Sequence, residues 1–207
     1  MDSPLKPIFI TLTALYTSNT ALAEKLWQEI ETMYTGKSRY YHTLAHLENL
    51  LIVLEDVKAN IKDWETVLFA IFYHDIVYKA TSKSNEEDSA GIASKRLGEL
   101  GFPKDRTEKC VSLILATKAH TTGRDTDTDY FTDADLSILG QTQDTYLQYA
   151  KQVRKEFSIY PDLLYNPGRK KVLNHFLNME RIFKTQYFFD KFEKQARENL
   201  MNELKAL

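Results

Sequence analysis

Cysteine is almost absent from this chain: Cys110 is the only one among 207 residues. An intramolecular disulfide is thereby excluded, and a reducing compartment is the simplest expectation. Glycine and proline are also scarce, with 7 and 5 residues. Few turn-forming residues and few alternating apolar and polar runs argue against a β-sandwich or barrel. No run approaches the ~20 apolar residues of a membrane-crossing helix. The apolar stretch from Ile8 to Tyr16 is short and broken by threonine. The opening Met-Asp-Ser-Pro-Leu-Lys-Pro does not have the form of a signal peptide, so a cytoplasmic protein without a membrane partner is expected. Excess charge of one sign is lacking as well. The formal net charge is −2, which gives no basic field for a nucleic acid polymer. Residues 169–205 lean positive, with nine Lys/Arg against five Asp/Glu; that end could attract phosphates, although helix surfaces often look like this.

What remains is the balance of an ordinary globular protein, 43 % hydrophobic and 27 % charged. Helical periodicity is widespread. Ala21, Leu22, Leu26, Trp27, Ile30 and Met33 form one face; Leu44, Leu47, Leu50, Leu51 and Leu54 form another. Ser84 followed by Asn85-Glu86-Glu87-Asp88 reads as a capped helix start with acids in its first turn. Residues 121–129 form the clearest loop, with Asp129 a possible cap for a helix carrying Asp133 and Asp135. A second break is expected from Tyr160-Pro161 to Asn166-Pro167-Gly168. The pattern predicts an all-α bundle of about nine helices. A single domain over 1–207 is expected, with 168–207 as a C-terminal helical extension packed on it.

The chemistry concentrates at His74-Asp75, which ends the apolar run Trp64-Glu-Thr-Val-Leu-Phe-Ala-Ile-Phe-Tyr. Burying such side chains is costly unless something pairs with them, and a divalent ion would do so. His42 and His46, four apart, would share one face of a helix at about 6 Å. Asp135, from a later helix, would complete a set of two imidazoles and two carboxylates. Such a set suits Mn, Mg, Fe, Co, Ni or Zn, with water in the open positions. A lone buried His bound to an Asp is common in cores, but three of the five histidines here lie beside another His or Asp.

At these residues the chain resembles the HD superfamily of metal-dependent phosphohydrolases. That pattern is a His, an adjacent His-Asp and a distant Asp on an all-α scaffold; here it falls on His46, His74-Asp75 and Asp135. More narrowly, the chain resembles a group of small bacterial predicted HD phosphohydrolases. The matching stretches are Arg39-Tyr-Tyr-His-Thr-Leu-Ala-His46, Phe72-Tyr-His-Asp-Ile-Val-Tyr78, Asn85-Glu-Glu-Asp-Ser-Ala90, Asp133-Ala-Asp-Leu136 and Gly168-Arg169. The resemblance implies a metal-activated water acting on a small phosphorylated substrate, with nucleotides among the candidates. Tyr41-His42-Thr-Leu-Ala-His46 is also similar to the Tyr-His-Asn-x-x-His stretch of cyclic-nucleotide phosphodiesterases. That similarity makes His46 a ligand and His42 a general acid. Thr43 stands where that pattern has Asn, so cyclic nucleotides are not carried over. The superfamily also implies two alternatives: a dinuclear-iron oxygenase, or a non-catalytic module that binds nucleotide or metal. Dinuclear members supply two further histidines between the pair and the last Asp. This chain supplies only His120, so one divalent ion is expected.

Glu86 is a second proton-transfer candidate, and Arg39, Lys83, His120 and Arg169 are candidates for substrate contact, Arg39 through a two-pronged phosphate grip. Tyr78 is a weaker candidate, and His175 reads as structural. Asp133 rivals Asp135, but two residues apart on a helix they face different ways; the Ala before Asp135 matches the superfamily form. Other motifs fail. Asp125-x-Asp127-x-Asp129 has Tyr130 and Leu136 where an EF-hand loop needs Gly and Glu. Gly36-Lys37-Ser38 has Glu31 where a P-loop needs its first glycine. Cys110, near Val111 and Ile114, reads as a buried helix residue rather than a nucleophile.

Overall fold

Apolar residues at three- and four-residue spacing become helices throughout, and among the described residues there is no strand. The structure, a computed structural model, describes residues 4–119 and 125–207. It has ten α-helices there: α1 Leu5–Ala14, α2 Thr20–Tyr34, α3 Leu44–Glu55, α4 Trp64–Tyr73, α5 Asn85–Leu100, α6 Lys104–Ala116, α7 Thr126–Leu136, α8 Gln143–Glu156, α9 Asp162–Leu177 and α10 Gln186–Ala206. No helix among the described residues is long and apolar enough to cross a membrane. The residues divide into two compact units, one ending at Phe131 and one beginning at Thr132. Gly168, where the C-terminal extension was expected to begin, lies inside α9.

In the first unit α4 is the central element. Every residue from Thr66 to Tyr73 is buried, as an all-apolar helix requires. Asp63 caps it, accepting from the Thr66 N–H at 3.2 Å and the Thr66 hydroxyl at 2.6 Å. Phe9 of α1 meets Phe72 edge-on at 5.0 Å and Trp27 of α2 at 6.1 Å. α5 and α6 pack on each other and on α4. Gly101 ends α5 in the left-handed region at φ 76°, a conformation that costs glycine little. Cys110 is fully buried on α6, and burial pushes its thiol pKa up, which suits a packing role.

Two helix starts differ from expectation. Ser84 precedes α5, but its hydroxyl donates to Asp88 at 3.1 Å instead of capping a backbone N–H. α7 begins at Thr126, three residues before Asp129. Asp125 is the capping residue, accepting from the N–H groups of Asp127 and Thr128 at 3.0 and 3.2 Å. Asp127 is fully buried and accepts from the Lys62 and Asp63 N–H groups and from the Lys109 ammonium. Two of the three aspartates of the failed EF-hand pattern, Asp125 and Asp127, thus bind backbone N–H groups, and Asp127 a lysine as well.

In the second unit the 3₁₀ turn Ser137–Gly140 lies against α10. Asn199 donates to the Leu139 and Gln141 carbonyls, both at 2.8 Å. A Cβ on Gly140 would lie 2.5 Å from Phe192 Cβ and 2.6 Å from its carbonyl oxygen. The break expected over 160–168 is shorter, because α9 starts at Asp162 and runs through Pro167. Pro167 removes the N–H that would meet the Leu163 carbonyl, and Leu163 is at the solvent face, where water can replace that bond. Arg169 is buried and grips Glu203 with two bonds, Nε to Oε1 at 2.7 Å and Nη2 to Oε2 at 2.9 Å. Burial acts to raise the Glu203 pKa, and Arg169 with the Tyr146 hydroxyl outweighs it, so the carboxyl sits below its usual range.

Gly140→Ala forces a methyl into Phe192 and is expected to cost about 1–3 kcal/mol, read as a lower urea midpoint with unchanged slope. Arg169→Met strands a buried carboxylate and is expected to cost about 3–5 kcal/mol at neutral pH. Because the folded pKa of Glu203 is depressed, its contribution is present above the ordinary glutamate range and lost as pH falls through the folded value. The difference between wild type and Arg169→Met should therefore shrink in acid; a difference independent of pH would count against this account.

Candidate metal centre

Helix α4 ends at Tyr73, and His74 occupies the C-cap with φ −60° and ψ −38°. His74 is 1 % exposed and His46, on the first turn of α3, is 3 % exposed. Their Nε2 atoms lie 3.1 Å apart. Asp75 Oδ2 is 3.2 Å from His74 Nε2 and 3.7 Å from His46 Nε2. Donors bound at ~2.1 Å to one ion stand ~3.0–3.6 Å apart at tetrahedral or octahedral angles. The triangle therefore has nearly the dimensions a divalent ion requires. Among the described residues, His46, His74 and Asp75 form the one cluster of His, Cys, Asp or Glu able to hold a metal in this way.

Hydrogen bonding sets the chemistry of His74. Its Nδ1 is 3.0 Å from the Ile71 carbonyl oxygen, which can only accept. Nδ1 therefore carries a proton, and Nε2 is the nitrogen left to face His46 and Asp75, offering a lone pair to an ion or an N–H to the carboxylate. Metal-binding histidines are commonly oriented by such a second hydrogen bond. Burial acts to raise the Asp75 pKa. Charge on His74 and His42, a hydrogen bond from His74, and charge on His46 together outweigh it and hold the carboxyl well below the usual carboxylate range.

His42 departs from expectation in placement. α3 begins at Leu44, so His42 lies before the helix and the two histidines are not one turn apart on a helical face. The bend at 40–43 still brings His42 Nε2 within 3.9 Å of Asp75 Oδ2. The His42 ring stacks on Tyr78 at 3.8 Å, and Tyr41 packs against both His42 and His46 at 4.9 Å. The side chains of His42 and Asp75 are each 17 % exposed, while His46 and His74 are sealed. Solvent thus reaches the cluster from the side of His42 and Asp75. Phe131 closes another side, edge-on to His74 at 5.8 Å.

The segment after His74 is fastened by several side chains. The Asp75 N–H donates to the Tyr34 hydroxyl at 3.2 Å. Arg39 donates to the carbonyls of His42, Asp75 and Ile76 at 3.0, 2.7 and 2.8 Å. From α5, Ser89 accepts from the Val77 N–H at 3.1 Å, and Asn85 exchanges two bonds with the Lys79 backbone, both at 3.0 Å. Asn85 and Ser89 are four residues apart, a spacing that could have marked them as partners of one segment.

The remaining expected site residues each have their own surroundings. Glu86, in the first turn of α5, faces the Lys118 ammonium at 4.0 Å. Lys118 also donates to Glu87 and to the Lys83 carbonyl, and Lys83 itself is exposed. His120 lies outside the described residues. Arg169 belongs to the second unit, where its pairing with Glu203 accounts for it without a substrate. Asp135 is half-buried on α7, also in the second unit. Its rival Asp133 is fully committed: it accepts from the N–H groups of Lys184 and Thr185 at 2.9 and 2.7 Å and from the Thr185 hydroxyl at 2.8 Å. His175 is exposed in the last turn of α9.

If the cluster is a ligand set, His46→Ala and His74→Ala should each weaken Mn(II) or Co(II) binding at least ~10-fold, on the scale of losses seen around metal ligands. Isothermal titration checks this, and unchanged affinity in either variant would sink the assignment. Comparison with protein-family models, curated proteins and solved structures finds no match to this chain, so the family resemblance rests on the sequence motifs.

Proposed function

We propose that this protein is a metal-dependent phosphohydrolase whose centre is His46, His74 and Asp75. The observation that carries the reading is the mutual spacing of their three donor atoms, 3.1 to 3.7 Å. A divalent ion held there supplies an acidified water and a Lewis acid for a phosphoryl oxygen. The donor set of two imidazoles and one carboxylate suits Mn, Fe, Co, Ni or Zn, and Mg less well. The resemblance adds Asp135 as a further ligand, which Asp135→Ala tests through metal stoichiometry.

The chain's own groups divide the remaining work. His74 holds its Nε2 lone pair in place through the Ile71 carbonyl. Asp75 contributes negative charge and one oxygen. His42, partly exposed and fixed against Tyr78, holds a proton at Nε2 for the departing oxygen of the substrate. Its place beside Asp75 favours it over Glu86, which has Lys118 as a partner. Lys83, exposed in the segment before α5, is the cation proposed to meet a phosphate arriving from solvent.

The test is metal-reconstituted protein assayed against a panel of phosphomonoesters, diesters and nucleotides. Turnover is expected with at least one metal, and Asp75→Ala should lose metal and activity together. His42→Ala should keep the metal and lose about 10²–10⁴-fold in kcat. Metal-loaded protein with no turnover on any substrate would overturn the hydrolase reading. Two irons per chain with oxygen consumption would replace it with the oxygenase reading, and nucleotide bound without turnover would replace it with the binding module.

A further inference from the structure

The geometry points to Arg39 as a positioning residue for the metal centre, acting through main-chain atoms rather than through a phosphate. The inference rests on the proposed metal centre and deepens it. Arg39 is buried, and its two terminal nitrogens already donate to three carbonyl oxygens. Its guanidinium lies 4.7 Å from the centre of the Tyr34 ring and 5.7 Å from that of Tyr78. Three of its five N–H groups are thereby given to main-chain oxygens, which is the role the geometry shows for this guanidinium.

What it holds is specific. Asp75 and Ile76 supply consecutive carbonyls, and a planar fork spanning both fixes the orientation of the peptide between them. That peptide follows directly from the Asp75 Cα, which carries the candidate ligand. The third carbonyl belongs to His42, thirty-odd residues away in the chain and 3.9 Å from Asp75 through its side chain. One side chain therefore ties the segment bearing the proposed acid to the segment bearing the proposed ligand. Tyr34 completes the grip by accepting the Asp75 N–H. Both polar groups of the Asp75 main chain are thus held by side chains from the end of α2 and the bend after it. A lysine cannot reproduce this, since one ammonium at the end of a flexible stem presents no fixed fork.

The experiment titrates Co(II) into wild type, Arg39→Lys, Arg39→Met and Asp75→Ala, recording affinity, the visible spectrum and the urea midpoint of the metal-free protein. The expected result is Co(II) binding in wild type, its loss in Asp75→Ala, and ~10–100-fold weaker binding with an altered spectrum in both Arg39 variants. The metal-free Arg39 variants should keep the wild-type helical signal. A merely structural residue would lower the urea midpoint and leave the affinity and spectrum of the folded protein unchanged, and that result overturns the inference. So does failure of both Arg39 variants to fold, which would make Arg39 a determinant of folding rather than of position. Wild type that binds no Co(II), or binds it no better than Asp75→Ala, would instead overturn the metal centre itself.

Discussion

The hydrogen bond from His74 Nδ1 to the Ile71 carbonyl is small, local and decisive. It turns the ring so that its other nitrogen faces His46 and Asp75. Three electron-rich atoms then converge at the end of a helix with no solvent-facing side over its last two turns. Such an arrangement is unfavourable unless protons or a cation occupy the space between the atoms. The neighbouring structure is built around that convergence. α3 delivers His46, the bend before it delivers His42, and the segment after α4 is held at almost every residue.

Much of this was legible in the sequence, for identifiable reasons. An apolar run with no polar face can only be a central helix, so the burial of α4 and the oddity of His74-Asp75 at its end followed from composition. His46 was singled out by the resemblance of its stretch, whereas the helical spacing to His42 is not what the structure shows. The placement of His42 was not legible, because periodicity gives no sharp signal for where a helix begins. The tie between Arg39 and the Asp75 backbone was hidden for another reason. Sequence patterns show side-chain chemistry, while the acceptors are carbonyls that every residue possesses. The resemblance preferred Asp135 to Asp133, but the physical reason, two N–H groups brought to Asp133 by residues 184 and 185, lies 51 and 52 residues away in the chain. Pro167 misled because a helix tolerates proline where the orphaned carbonyl can meet water.

One device recurs through both units. Asp127 holds the N–H groups of Lys62 and Asp63; Asp133 holds those of Lys184 and Thr185; Glu193 holds those of Ile182 and Phe183; Asn199 holds two carbonyls. These polar side chains are buried and are satisfied by the main chain of connecting segments. A chain poor in glycine and proline has few residues that shape a turn by their own conformational preference. Here the connections take their shape from distant side chains, which also explains how so many buried carboxylates are accommodated.

Backbone acceptors have a consequence for how the centre can change over evolutionary time. Arg39 recognises carbonyl oxygens at positions 42, 75 and 76, and those oxygens stay when the side chains are exchanged. The scaffold is thus indifferent to which donor stands at 42 or 75. The donor atoms of the candidate centre can drift by single substitutions while the cradle keeps its shape. The same independence would let the fold persist whichever side chains stand at those positions.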